Sequence, residues 1–63
     1  MTNPTAKEVV DLRAHSSLTQ TEFGALIGAA KRTVQDWESG ARNCPSAKFE
    51  LLQIKVTAGV SGL

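Results

Sequence analysis

The 63-residue chain has one cysteine, Cys44, and one histidine, His15. A single cysteine cannot close an internal disulfide, and with a single histidine it falls short of any zinc-finger ligand set. The N-terminus shows no basic region followed by an apolar stretch, and no apolar run nears the ~20 residues that span a bilayer. An unpaired thiol suits a reducing compartment. These absences lead us to expect a cytoplasmic protein with no membrane partner, no metal and no cofactor. Charge of one sign is scarce as well: seven Lys and Arg against six Asp and Glu leave a formal net charge of +1. Any attraction to phosphates must therefore come from local arrangement rather than bulk charge. Catalytic couples are missing too. His15 has no identifiable nucleophile partner and Cys44 sits beside Pro45 in an expected loop, so no enzyme is expected.

Sixty-three residues make one domain, 1–63, and a chain this short buries only about 60% of the surface its unfolded form exposes. With disulfides and metals excluded, a second subunit is the remaining staple. No stretch alternates apolar and polar residues for long enough to read as strand, and there are no repeats or low-complexity tracts. Four helices are expected. Residues 1–4 read as a flexible arm. Thr5 caps the first helix and Glu8, three residues on, completes a capping box; Val9, Val10 and Leu12 are its apolar positions, and Ser16 and Ser17 interrupt it. Thr19 caps the second, with Glu22 in the matching position, and Gly28 ends it in a left-handed conformation. The third runs from Ala30 or Lys31 to Ser39, stopped by Gly40. Ser46 caps a fourth, reaching about Thr57, and residues 58–63 form a tail.

Within LTQTEFGALIGAAKRTVQDWESG (residues 18–40), the apolar Leu18, Phe23, Leu26, Ile27, Val34 and Trp37 turn inward. Lys31, Arg32, Thr33, Gln35 and Asp36 are left on the open face of the third helix. A short helix with a buried seam and hydrogen-bonding side chains at its exposed N-terminal end suits the DNA major groove. The fourth helix has two apolar faces, Phe49, Leu52 and Val56 on one and Ala47, Leu51, Ile54 and Ala58 on the other. The second needs a cover. A symmetric partner is the simplest, and folding back of Val60 and Leu63 is the alternative.

The pattern L-T-Q-x-E-F-x-x-L-I-G-x-x-x-R-T-V-Q-D-W-E-S-G, followed by Pro45 and Ser46, resembles the Xre/Cro-like helix-turn-helix repressors. In style the chain is closest to compact phage or mobile-element autoregulators, such as anti-CRISPR-associated regulators. The resemblance spans about residues 9–56 and implies an all-α, lambda-repressor-like domain of four helices. By position, it implies base contacts from Lys31, Arg32, Thr33 and Asp36. Arg32 would fork onto guanine; Asp36 would either accept from cytosine or hold Arg32 in its reading rotamer. It further implies backbone contacts from Gln20, Gln35, Arg42 and Asn43, and an ion pair between Arg13 and Glu38. Ala30 departs from the Ser or Thr that usually caps the recognition helix. The function implied is a dimeric repressor on an inverted-repeat operator of double-stranded DNA. The periodicity of the fourth helix, with the tail, puts Leu51, Ile54, Ala58 and Val60 at the expected dimer interface, and no small-molecule ligand is expected. An antitoxin that also binds DNA is the alternative, and a protein-interaction module using the fourth helix is a third.

Overall fold

The structure, a computed structural model, describes residues 3–61, with side chains as far as Ala58. Four helices follow one another: α1 (Ala6–Ser16), α2 (Gln20–Ala25), α3 (Lys31–Ser39) and α4 (Ser46–Ser61). No strand occurs among the described residues. The fold is the all-α helix-turn-helix arrangement that the sequence leads one to expect.

Both capping boxes form. Thr5 and Thr19 accept from the N–H groups of Glu8 and Glu22, whose carboxylates accept in return from the two threonine amides. The Thr19 backbone N–H, and after it the Thr19 side chain, hold the Glu22 carboxyl below its usual pKa. A carboxyl depressed in the folded state contributes stability above its unfolded pKa and loses it as pH falls through the folded value. The melting temperature, followed by circular dichroism, should therefore drop on acidification. Glu22→Gln should show a lower melting point at neutral pH and a smaller acid-induced drop.

The second helix closes differently in detail from the expectation. Regular α geometry ends at Ala25, and residues 26–28 tighten into shorter turns, with Leu26 N–H donating to Phe23 and Ile27 N–H to Gly24. Gly28 N–H then bonds Ala25 at 3.4 Å and Ala29 N–H bonds Gly24 at 2.8 Å, the paired closure of a Schellman motif. That motif needs a left-handed residue at its penultimate position, and Gly28 supplies it at φ +71°. Gly40 ends α3 in the left-handed region too, at φ +86°, but there the bond back to Asp36 comes from the Arg42 N–H.

The core is built from Val9, Phe23, Val34, Trp37, Cys44, Leu52 and Val56, with Leu12, Leu18, Leu26, Ile27 and Phe49 packed around it. α3 packs against both α1 and α2, and α1 packs against α4. Cys44 lies in the loop where it was expected, but its side chain is buried in the core: burial raises its thiol pKa, which keeps it protonated and unreactive. Gly24 is buried between α2 and the turn, where a side chain would run into the Ala29 carbonyl oxygen.

α4 corrects the expectation at both ends. Ser46 is its first helical residue and not its cap. The preceding Pro45 has no side-chain acceptor to offer, and the Ser46 N–H donates instead to Asn3 Oδ1 at 3.1 Å, from 43 positions earlier in the chain. Asn3, expected in a flexible arm, thus ties that arm to α4. At the far end the helix continues past Thr57 to Ser61, through residues expected in the tail. One glycine costs a helix only about 1 kcal/mol, too little for Gly59 to stop it. The side chain of Val60, and Leu63, lie outside the described residues. Leu52 and Val56 face the core, while Leu51 (42% exposed) and Ile54 (60%) face outward.

Candidate nucleic-acid interface

α3 is positioned by its apolar seam. Val34 and Trp37 are buried against α1 and α2, and at about 100° per residue this turns Lys31, Arg32, Gln35 and Asp36 onto one outward arc. Lys31, Arg32 and Gln35 are exposed, and Asp36 is half-buried. Thr33 is half-buried on the flank of this arc, toward Trp37, so it belongs to the edge of the face and not to its centre.

Ala30 occupies the N-cap of α3 and makes no side-chain capping bond. The Thr33 and Val34 N–H groups bond the Ala30 carbonyl, so the Lys31 and Arg32 N–H groups are the first-turn donors without an intrahelical partner, at the positive end of the helix dipole where an anion is favoured. This local arrangement supplies what the net charge of +1 does not.

One flank of the face is a hydrogen-bonded network that spans three helices. Arg13 on α1 grips Glu38 on α3 with two bonds, Nε to Oε2 at 2.5 Å and Nη2 to Oε1 at 3.2 Å. Arg13 Nη1 also donates to the Leu18 carbonyl at 3.2 Å. Gln20, at the first turn of α2, donates to Glu38 Oε1 at 3.1 Å, and its own oxygen accepts from Gln35 Nε2 at 3.4 Å. Glu38 thereby holds Gln20 beside α3. Gln20 and Lys31 line one shallow cleft together with Arg13, Thr19 and Thr21.

The other flank centres on Asp36. Its Oδ1 accepts from Arg32 Nε at 3.1 Å, and its Oδ2 lies 3.7 Å from Arg42 Nε. The Arg42 backbone N–H also donates to the Asp36 carbonyl at 3.1 Å, which wraps the loop after Gly40 back onto α3. Asp36 is thus bonded to Arg32, one turn earlier on the same helix. Asn43 is exposed and the structure does not draw it into either group.

Two features of this region escape the sequence reading. The pairing of Asp36 with Arg42 crosses a loop whose path no spacing rule gives. Gly24 carried a usable signal: a glycine inside a short helix costs stability, which points to a close backbone approach.

Among the described residues no helix is long and apolar enough to cross a membrane. The helix-turn-helix family matches residues 2–49, three-quarters of the chain and every residue of the surface just described. Neither a curated protein nor a solved structure matches the chain.

Proposed function

This chain belongs to the helix-turn-helix family and is a DNA-binding transcription regulator, and on that premise we propose that it acts as a dimeric autorepressor on an inverted-repeat operator. The observation that carries the reading is the open, uncapped start of α3 with Lys31 and Arg32 above it. In this reading α3 enters the major groove. Arg32 and Lys31 read bases, Thr33 touches a thymine methyl from the edge, and Gln20, Gln35, Arg42 and Asn43 meet the sugar-phosphate backbone. Repression follows from occupying a promoter. The autoregulatory role, in the style of phage or mobile-element regulators, rests on the resemblance of residues 9–56.

The test is binding to a duplex taken from directly upstream of the gene, beside a scrambled duplex, at two salt concentrations. Specific binding should exceed scrambled binding about a thousandfold, and Arg32→Ala should remove at least about tenfold of it. Equal, weak and salt-erased binding to both duplexes would reject the reading and leave the antitoxin or protein-interaction alternative.

Dimerisation is assigned to the outward face of α4, Leu51, Ile54 and Ala58, with Val60. Leu51 and Ile54 are the large apolar side chains left exposed among the described residues. In an isologous interface each is buried twice, and burying an isoleucine contributes about 1.5–3 kcal/mol. Ile54→Glu should sediment as a monomer where the parent chain sediments as a dimer, keep its helical spectrum and bind the operator more weakly. A monomeric parent chain would remove this part of the reading.

A further inference from the structure

Asp36 is an unexpected residue for a surface that meets phosphates, because a carboxylate repels them. Its surroundings resolve the conflict. The carboxylate is 19% exposed and sits between two guanidiniums that are 82% and 71% exposed, those of Arg32 and Arg42. In each pair the atom facing Asp36 is the arginine Nε, at 3.1 Å for Arg32 and 3.7 Å for Arg42. Guanidinium presents five donors in a rigid fork. With Nε turned toward Asp36, the terminal nitrogens are the donors left to face outward. On Arg32 that pair matches guanine O6 and N7.

We infer that Asp36 is a positioning residue for DNA recognition: it fixes Arg32 as a reader of a G·C pair and restrains Arg42 from contacting phosphates indiscriminately. The inference rests on the proposed docking of α3 in the major groove and adds what sets its base preference. Exposed ion pairs contribute little to folding, so the effect of this cluster lies in preorganising the two arginines and not in stability. Neutralising Asp36 frees two cationic side chains and removes a repulsive charge. Affinity for any duplex should rise while discrimination falls.

The experiment starts from duplexes that the parent chain selects out of a random pool. Arg32→Ala identifies the base pair at which preference depends on Arg32. At that pair, the parent chain should favour G·C by about tenfold or more. Asp36→Asn should lose most of this preference, bind scrambled duplex more tightly and show a steeper salt dependence. Asp36→Glu, which keeps a carboxylate one turn from Arg32, should restore part of the preference. Circular dichroism melts should overlay for all of these chains. Full preference in Asp36→Asn, or a uniform loss of binding to all duplexes with an unchanged salt slope, would overturn the inference. A parent chain with no preference for any selected duplex would overturn the docking reading itself, an outcome visible before any Asp36 variant is made.

Discussion

Gly24→Ala is expected to abolish cooperative folding or to lower stability by about 3 kcal/mol, at the upper end of what overpacking costs. On helix propensity alone the change should help, since alanine is favoured over glycine by about 1 kcal/mol in a helix interior. The tertiary structure reverses the sign. A Cβ at position 24 would occupy the space of the Ala29 carbonyl oxygen, with Val34 Cγ2 3.0 Å away and the Ala29 carbonyl carbon 3.2 Å away. A backbone oxygen cannot swing aside as a side-chain tip can. The Ala29 N–H is also bound to the Gly24 carbonyl at 2.8 Å, so the turn is held against the helix at this point. Relief would require moving α3 away from α2, opening the contact around Phe23 and Val34. A single core of this size rarely supplies more than about 3–5 kcal/mol, so such a loss removes most of the stability. Urea titration followed by circular dichroism measures it. A midpoint equal to or above that of the parent chain would show that the turn yields easily.

Glu38→Ala should cost about 2–3 kcal/mol and loosen all three helices of the DNA-facing unit together. Glu38 accepts from Arg13 twice and from Gln20 once, so its removal leaves a guanidinium and an amide without their shared acceptor. A fully buried pair broken in this way costs about 3–5 kcal/mol. Here the Arg13 side chain keeps 27% of its exposure and Glu38 10%, so water recovers part of that loss. Hydrogen bonding to Glu38 raises the Arg13 pKa above its already high value. A cation whose folded pKa is raised contributes stability at every pH below its unfolded pKa and loses it only in strong alkali. The contribution should therefore persist unchanged through the neutral range. Glu38→Gln keeps one acceptor and should fall between the parent chain and the alanine variant. A Glu38→Ala midpoint within about 0.5 kcal/mol of the parent chain would place Glu38 with ordinary surface residues.

Much of the fold was legible because its signals are local. Thr5 with Glu8, Thr19 with Glu22, and the two left-handed glycines each act within a few residues, and the structure realises all four. The apolar spacing of Val34 and Trp37 likewise determined which side of α3 faces out. The departures come from contacts distant in sequence. Asn3 caps α4 across the domain, Cys44 is drawn into the core by packing, and Asp36 meets Arg42 only because the chain doubles back after Gly40. Gly24 lies between these cases, since the cost of a helical glycine is local but its reason, the Ala29 carbonyl, is a feature of the turn. At the site, spacing identified the outward residues of α3, yet their pairing into a Gln20–Glu38 flank and an Asp36 flank needed three-dimensional geometry.

If α3 enters the major groove, its outward face meets DNA. Titrating the isotopically labelled protein with its operator duplex, and following backbone amide resonances by NMR, tests it most directly. Residues Lys31, Arg32, Gln35 and Asp36 should shift most, with Gln20 and Arg42 beside them. Leu51 and Ile54 on α4 should stay unmoved. Shifts confined to α4, with the start of α3 unchanged at saturating duplex, would rule out α3 as the DNA-facing helix.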